Sequence, residues 1–548
     1  MTQSSLRGEG SAVEEAIPTA PPKGRAPDGR GRHGGGGRGG KKRAAGRRSP
    51  VRRVLRWSST VLALVILGTA GAGYLYYQHL NGNIRKGQRS SGDSKAQRTQ
   101  PNAAGQTPVN ILLIGSDSRN SDANVALGGS RDNRGTPPRG DVQMLIHLAA
   151  DRKSAAVVSI PRDTRVDIPK CTDPETGKVY PPVNDIITES LARGGSGCTL
   201  ATWESLTGVY IDHWMTIDFA GVVKMADAIG GVEVCVKQNV WDHPTPAAPG
   251  GSGLKLTAGK HKVKGKQALQ WLRTRHAWGS DLLRARAQHM YMNSMIRTLQ
   301  SQNVFTDSGR LMGLAEAATK SLEVSEEIGT VPKLYHLAMQ LKTVPTDRIT
   351  MTTMPNVADP QNDNHVLPDG AAATKVWKML RDDVPFDDKG PAPDAKKRTD
   401  GSAADRTPSV PADRLGVLVQ NATRTATQAP VGGRAREIGQ ELAGKGFTRA
   451  AADTSPALSE EETLVRYPSS DLEGDAQSVA KALGIPLSSV RKSTDVSGVT
   501  VVVGADWRTG STYPKEATPK AGDLPENSDA INGSDESQCM DVYAPYRW

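Results

Sequence analysis

The sequence predicts an α/β (α+β) sandwich with a central mixed sheet, preceded by one transmembrane helix and followed by a small α/β C-terminal domain. Three observations predict this fold class. Short apolar, partly β-branched runs alternate with longer amphipathic stretches between residues 109 and 354, a pattern typical of strands and helices around one sheet. Residues 57–77 carry no charge and are long enough to cross a bilayer. A shorter strand–helix alternation starts near residue 415, after a polar linker.

The first 56 residues form a basic, low-complexity segment with too little apolar surface to fold. Asp28 is the one acid between Arg25 and Arg56, so this segment carries much of the formal net charge of +11. Because it lacks a folded partner or an aromatic platform, we expect no nucleic-acid binding. The basic flank precedes the apolar run, which predicts a single-pass anchor in the cell membrane, with a cytoplasmic N-terminus and an extracellular remainder. A signal peptide is the alternative, although its basic region would be unusually long.

Composition and patterning divide the chain into seven predicted regions. They are a disordered basic cytoplasmic tail (1–56), the transmembrane helix (57–77), a linker (78–106), a large domain (107–385), a second linker (386–411), the small C-terminal domain (412–510) and a disordered tail (511–548). Four cysteines without a C-x-x-C pair fit an exported, disulfide-bonded protein better than a metal site. Cys171 and Cys198 flank a polar loop and are candidate partners, but Cys235 is an equally good one, so the pairing stays open.

The individual elements follow from the same periodicities. In the large domain we predict strands at 109–115, 142–149, 155–160, 213–219, 232–236 and 348–354, and helices at 184–191, 200–206, 220–229, 265–273, 281–299 and across most of 307–341. In the small domain we predict strands at 415–419, 463–467 and 499–503, and helices at 433–442 and 475–483.

Charged side chains recur where these elements begin or end. The strand that runs into Pro161 is followed by Arg162 and Asp163, and the other sets are Asp117 with Arg119, Arg139 with Asp141, and Arg273, Arg275, Asp281 and Arg284. Each set by itself is also explained by a surface ion pair. Together, the arginine forks and carboxylates suit a multiply charged phosphate ligand and a divalent metal. A serine or cysteine triad has no support, since no histidine is placed as a base, and we interpret His147 and His276 as incidental.

The motifs resemble those of the LytR-CpsA-Psr family over residues 107–385. They are NILLIGSDSR, RGD before a strand, VVSIPRDTR, DFAGVVKMADAIGGVEV, and LRTRH followed by DLLRARAQ. Residues 412–510 resemble the LytR C-terminal domain through VLVQNATR and GKGF, and the composition suggests an actinobacterial member. The resemblance implies a membrane-anchored phosphotransferase. It would move a glycopolymer from a polyprenyl-pyrophosphate carrier to peptidoglycan, by attack of a muramic acid 6-hydroxyl on the phosphate next to the sugar.

The resemblance also implies residue roles. Asp117 and Asp141 match the carboxylates that hold Mg²⁺ (or Mn²⁺), and Arg162, Arg273 and Arg275 match the pyrophosphate clamp, with Asp141 counted among the catalytic residues. The expected substrate-binding shell consists of Arg119, Arg139, Asp163, Arg284 and Gln288. The polyprenyl chain needs an apolar groove, for which Phe219, Val223 and Ile229 are candidates, although core packing explains them equally well.

Two departures from the family pattern reduce the number of basic residues in the pyrophosphate clamp. Ala287 stands where a second arginine is usual, and Pro182–Val183 replaces a lysine that commonly precedes Asn184. Two other functions remain open: a pyrophosphatase that releases the polymer from its carrier, and a non-catalytic scaffold that binds the wall or the lipid. The two carboxylates argue against the scaffold, and no helix-turn-helix pattern supports a role in transcription.

Overall fold

The computed structural model describes residues 50–94, 96–99, 101, 102, 104–118, 122, 124, 127, 135–246, 248–301, 308–390, 406–425, 428–460, 462–514 and 519–548. The predicted basic tail up to residue 49, Arg119 and most of the second linker lie outside these residues. Helix α1 (Pro50–Asn83) contains the predicted span, and Val54–Asn83 is long and apolar enough to cross a membrane by length and composition. Residues up to Ala70 form one compact unit and residues 71–548 another, so we describe the second unit by itself.

The large domain contains most of the elements. Its strands are β1 (Arg85–Gly87), β2 (Val109–Ser116), β3 (Gly140–Leu148), β4 (Ala155–Ile160), β5 (Arg165–Ile168), β6 (Cys171–Thr172), β7 (Val179–Tyr180), β8 (Val183–Ile186), β9 (His213–Ile217), β10 (Val232–Val236), β11 (Val240–Trp241), β12 (Lys255–Leu256), β13 (Gly259–Val263), β14 (Leu322–Ser325), β15 (Ile349–Thr353), β16 (Asn356–Ala358) and β17 (Val366–Pro368). Its helices are α2 (Ser190–Thr207), α3 (Phe219–Ala228), α4 (Gly265–Arg273), α5 (Asp281–Ser301), α6 (Ser308–Ser321), α7 (Val331–Lys342) and α8 (Gly370–Arg381).

A mixed eight-stranded sheet organises this domain, which confirms the predicted fold class. The strand order is β1-β14-β9-β2-β3-β4-β15-β23, where β23 (Ile531–Asn532) comes from the far end of the chain. The β2–β9 and β4–β15 pairs are parallel, whereas β2–β3 and β3–β4 are antiparallel. Apolar side chains on one face pack against α2 and α8, and those on the other face pack against α5 and α7. The sheet is therefore covered on both sides, as a sandwich requires.

The predicted linker and tail are both wrong over much of their length. Within 78–106, Ile84 is buried and β1 extends the central sheet by pairing with β14. Within 511–548, β23 pairs with β15, and Cys539 forms a disulfide with Cys235. The polar, Gly- and Ser-rich composition of both segments predicted disorder. A few apolar residues are nevertheless enough to hold such a segment against a surface that is already folded. The second disulfide joins Cys171 and Cys198, one of the pairings left open above.

Two helix predictions also need correction. Part of the predicted helix 184–191 is β8, which pairs antiparallel with β5, and the helix α2 starts only at Ser190. The predicted helical stretch 307–341 is interrupted by β14, which lies between β1 and β9 in the sheet. In both places pairing with a distant strand overrides local helix propensity.

The small domain has its own five-stranded sheet and two helices. Its strands are β18 (Gly416–Asn421), β19 (Arg449–Ala452), β20 (Leu464–Tyr467), β21 (Val490–Lys492) and β22 (Val499–Val503), and its helices are α9 (Arg434–Gly444) and α10 (Glu473–Leu483). The strand order is β19-β18-β22-β20-β21, and one apolar core joins the sheet to both helices. The α/β character predicted for 412–510 is confirmed.

Candidate functional site

Three neighbouring strands bring the first group of charged residues to one edge of the central sheet. Strand β3 runs antiparallel to both β2 and β4, so its first residues lie beside the last residues of its neighbours. The register pairs Ser116 with Gly140 and Gln143 with Ile160. As a result Asp117, Asp141 and Arg162, which follow or begin these strands, share one end of the sheet. A rigid sheet edge holds such side chains in fixed positions.

Arg162 is the centre of a network of carboxylates at this edge. Its Nη1 lies 3.2 Å from Oδ1 of Asp141, and its Nε lies 3.3 Å from Oδ2 of Asp163 and 3.3 Å from Oδ2 of Asp281. The Arg162 side chain is only 24% exposed. Burial disfavours its charged form, but the three carboxylates outweigh this effect and raise the pKa of Arg162. The structure thus brings Arg162, Asp141 and Asp163 together, and their roles stay predictions.

Asp281 connects the sheet edge to the helical side of the site. It stands in the first turn of α5, where the helix dipole favours a carboxylate. Besides Arg162, its Oδ2 lies 3.3 Å from Nη2 of Arg284, and its Oδ1 lies 3.8 Å from Nε of Arg275. Three guanidinium groups from two distant segments therefore converge on one carboxylate. From the sequence, Asp281 is one charged residue among several and has no assigned role; its position between Arg275 and Arg284 is the signal that could have singled it out.

The neighbouring carboxyl groups of Asp163 and Asp281 influence each other and differ in acidity. Burial raises the pKa of Asp163, Arg162 opposes this rise, and the neighbouring Asp281 carboxyl adds to it. Burial also acts against ionisation of Asp281, but the charges of Arg284 and Arg162 prevail and hold the pKa of Asp281 below its ordinary value. Pairs of carboxyl groups whose environments separate their pKa values are typical of acid–base chemistry.

Asp117 and Arg139 form the rim of the site. The Asp117 Oδ1 accepts a hydrogen bond of 2.7 Å from the backbone N–H of Arg139, and the Arg139 guanidinium pairs with Glu189 at 2.7 Å. Glu189, which the sequence analysis did not select, thus orients Arg139, whose side chain is 57% exposed. Arg119 lies outside the described residues, so its place in the substrate shell stays a prediction.

Arg273 and Gln288 make contacts of a different kind. Arg273 donates to the carbonyl of Leu127 at 3.2 Å, and its guanidinium carbon lies 4.9 Å from the ring centroid of Phe219. The buried Gln288 donates from Nε2 to the carbonyl of Leu272 at 3.0 Å, a contact that braces the end of α4, next to Arg273. Convergence of Arg273 with the other clamp arginines, and direct substrate binding by Gln288, both stay predictions.

The departure at Ala287 has a structural reason. Ala287 is fully buried in the core beside α4, and its carbonyl accepts a hydrogen bond of 3.0 Å from the indole N–H of Trp271. An arginine at this position would have to place its charge in that apolar core. His147 is buried and bridges Asn110 and Asp383, which agrees with a structural role. His276, by contrast, lies 3.1 Å from Nη2 of Arg275 and is part of the site's surroundings.

The residues at the sheet edge fit a divalent cation that is shared with a phosphate ligand. In the described part of the chain, no group of three or more His, Cys, Asp or Glu side chains is arranged to hold an ion by itself. Mg²⁺, however, commonly uses only one or two carboxylates together with substrate phosphates and water. Asp117 and Asp141 supply two carboxylates with hard oxygen donors at one end of the sheet, and Asp141 contacts the Arg162 guanidinium that would face those phosphates.

Two parts of the chain match known protein families. Residues 74–382, more than half of the chain, match the LytR-CpsA-Psr family. The chain belongs to the LytR-CpsA-Psr family. Residues 414–507 match a second family, described as LytR cell envelope-related transcriptional attenuator. The LytR-CpsA-Psr match begins at residue 74, which agrees with the presence of β1 in the central sheet.

Relatives of this LytR-CpsA-Psr protein include a cell wall biosynthesis protein and a teichoic acid transferase. It is 30% identical over 329 residues to the cell wall biosynthesis protein LcpA of Corynebacterium glutamicum, a match that spans 55% of this chain but only 60% of LcpA. It is 25% identical to the polyisoprenyl-teichoic acid–peptidoglycan teichoic acid transferase TagT of Bacillus subtilis, over 52% of this chain and 84% of TagT. Solved structures that resemble it include a LytR-Csp2A-Psr enzyme from Actinomyces oris (16% identity, TM-score 0.39, covering 54% of this chain and 95% of that one).

Proposed function

We propose that this protein is a membrane-anchored phosphotransferase that moves a glycopolymer from a polyprenyl-pyrophosphate carrier to the muramic acid 6-hydroxyl of peptidoglycan. The observation that carries the proposal is the convergence of Arg162, Arg275 and Arg284 on Asp281, beside Asp141 and Asp163. Membership of the LytR-CpsA-Psr family and the names of its relatives supply the substrate class.

The arginine cluster suits the demands of phosphoryl transfer. This reaction depends mainly on alignment of the reacting groups and on neutralisation of charge on the phosphate oxygens. Arg162 and Arg275 both contact Asp281 through Nε, which places two guanidinium groups in one cluster, where a pyrophosphate would meet both. Mg²⁺ (or Mn²⁺) held by Asp117 and Asp141 would further neutralise the pyrophosphate charge.

Asp163 is the proposed proton acceptor for the incoming hydroxyl. The hydroxyl oxygen attacks the phosphorus that bears the sugar, the bond from that phosphorus to the bridging oxygen breaks, and polyprenyl phosphate leaves with the electron pair. The proton of the hydroxyl passes to the Asp163 carboxylate. Because burial raises the pKa of Asp163, this carboxylate is a stronger base than an ordinary surface aspartate.

The proposed topology follows from the basic flank of α1. Arginines precede the apolar residues, so we expect the N-terminus in the cytoplasm and the second unit outside, next to peptidoglycan. Protease added to intact spheroplasts should then digest residues beyond 83. Full protection of this region would contradict the proposal.

A transfer assay with the full-length protein in detergent tests the reaction. The donor is a prenyl-pyrophosphate-linked, radiolabelled oligosaccharide, and the acceptor is a peptidoglycan oligomer. We expect label on peptidoglycan, and a loss of about tenfold to hundredfold in Arg162→Ala or Arg275→Ala, since a charge-assisted hydrogen bond contributes about 1.5–3 kcal/mol. The exposed Arg436 of α9 provides the control, Arg436→Ala, which should keep wild-type activity. Label released into solution would indicate a pyrophosphatase, and full activity in both site variants would refute the assignment.

A further inference from the structure

The segment that follows the small domain returns to the large domain beside the arginine cluster. Besides β23 and the Cys235–Cys539 disulfide, residue Met540 exchanges backbone hydrogen bonds of 2.9 Å with Cys235 and Lys237. The backbone N–H of Tyr543 donates to the carbonyl of Ala277 at 2.8 Å, two residues after Arg275. We call residues 519–548 the return segment. Its attachment is covalent and continuous, so the surface that it forms beside the site is fixed in place.

This segment creates a cluster of exposed aromatic side chains. Outside α1, the described part of the chain has four exposed large aromatic residues, and three of them, Trp241, Tyr543 and Trp548, lie here at 41, 56 and 52% exposure. The fourth, Tyr335, stands on α7. Exposed aromatic side chains that gather in one place mark a binding surface more often than chance. We call these three residues the aromatic surface.

A run of ring contacts links the aromatic surface to the arginine cluster. His276 stacks on Tyr546 at a centroid distance of 6.3 Å, Tyr546 meets His243 at 5.7 Å, and His243 stacks on Trp241 at 4.4 Å. Tyr543 lies 6.4 Å from Tyr546 in the same run. Since Arg275 contacts His276, the run begins at a guanidinium that we assign to the pyrophosphate and leads outward to Trp241.

Polar groups stand between the rings. The Lys255 ammonium lies 4.7 Å from the ring centroid of Trp241 and 4.4 Å from that of Trp548. His243 and His276 add ring nitrogens, and both side chains are only partly buried. A sugar ring matches this mixture, because one face carries C–H groups that pack on an aromatic ring while its hydroxyls lie at the edge and hydrogen-bond.

We propose that the aromatic surface binds the saccharide chain of the donor, that is, the sugars that follow the one attached to the carrier pyrophosphate. This inference rests on the proposed function, because it takes the pyrophosphate to lie at Arg275. The occupant is the donor rather than the acceptor since the run is continuous with that arginine, and the donor sugars are bonded to the phosphate held there. The return segment would thus make the protein bind donors that carry a saccharide chain more tightly than donors that carry a single sugar.

The test compares two donors by isothermal titration calorimetry with the full-length protein. One is a short-chain prenyl pyrophosphate carrying a single N-acetylglucosamine, and the other carries a chain of four. Wild-type protein should bind the longer donor more tightly, and the Tyr543→Ala/Trp548→Ala double variant should lose roughly two- to tenfold of this preference for each ring removed. The matched control Tyr335→Ala should keep the preference, and Tyr543→Phe/Trp548→Phe, which keeps an aromatic ring at each position, should keep most of it.

Several outcomes would overturn the inference. The first is an equal preference in wild type and the double alanine variant, with the Cys235–Cys539 bond shown intact by mass spectrometry so that a misfolded variant is recognised. If that variant fails to form the bond, Tyr543→Ala alone decides in the same way. A raised KM for the peptidoglycan acceptor with unchanged donor binding would assign the surface to the acceptor. Loss of binding to anionic phospholipid vesicles, again with unchanged donor binding, would assign it to the membrane.

Failure of the proposed function is distinguishable from failure of this inference. If wild-type protein shows the length preference and the double variant loses it, but neither transfers label to peptidoglycan, the aromatic surface stands and the transfer reaction falls. If wild-type protein transfers label but shows no length preference, the transfer reaction stands and the aromatic surface falls.

Discussion

Neutralising Asp281 is the sharpest test of how the arginine cluster is held. In Asp281→Asn the shape is kept, but Arg162, Arg275 and Arg284 lose the carboxylate on which they converge. The Asp281 side chain is 23% exposed, so solvent screens part of the effect. The contact to Arg284 at 3.3 Å is a hydrogen bond to a charged group, of about 1.5–3 kcal/mol. The contact to Arg162, also at 3.3 Å, is an ion pair, and the two contributions are not additive. We therefore expect stability to fall by about 2–3 kcal/mol, and kcat/KM to fall about thirtyfold to a hundredfold because misplaced guanidinium groups no longer align the phosphate.

The measurement combines the transfer assay with urea unfolding. Asp523→Asn is the control, since it removes an exposed ion pair with Lys375 and should change either quantity very little. The pH dependence has a definite sign. The pKa of Asp281 is lowered in the folded protein, so its contribution is present above the ordinary aspartate pKa of about 3.9 and is lost as the pH falls through the folded value. A variant with kcat/KM within about threefold of wild type and an unchanged unfolding midpoint would refute the reasoning.

Four further predictions follow from other contacts. Asp141→Asn should remove the stimulation of transfer by Mg²⁺ while circular dichroism stays unchanged; undiminished stimulation would take Asp141 out of the metal site. Because the pKa of Asp163 is raised, the acid limb of kcat/KM should lie above the ordinary aspartate range and should disappear in Asp163→Asn. Burial lowers the pKa of His289 to about 3, so stability should fall below about pH 6.5, and His289→Leu should flatten that fall by roughly 1.4 kcal/mol per pH unit in urea titrations. In Cys539→Ser, deuterium uptake at 519–548 should rise, since the disulfide closes a loop of 304 residues, a constraint of about 6 kcal/mol in the chain-entropy estimate.

Local sequence patterns were sufficient to predict the three strands that form the sheet edge. Apolar β-branched runs predicted β2, β3 and β4 and the charged residues at their ends. Only the structure showed that these strands are antiparallel neighbours, which places Asp117, Asp141 and Arg162 at one end. The fold class followed from the same alternation. These features depend on residues close together in the chain, which is why periodicity reports them.

Features that depend on distant partners were not predictable in this way. Strand β14 exists because β1 and β9 flank it, and its four residues continue a helical pattern in the sequence. Asp281 contacts three arginines because the fold brings Arg162, which follows β4, next to Arg275 and Arg284. The sequence alone shows the charges of such a network but not which of them meet.

The return of residues 519–548 makes the small domain an insertion within the large one rather than an appendage to it. During synthesis the Cys235–Cys539 disulfide cannot form until Cys539 is made, 304 residues later, and the small domain emerges and folds in the interval. Until then the apolar surface that Met540, Val542 and Tyr546 later cover stays exposed to solvent. A chain cut at the linker near residue 390 would keep this unfinished state permanently. The boundary that looks natural for dissecting this protein is therefore the one that leaves its larger half incomplete.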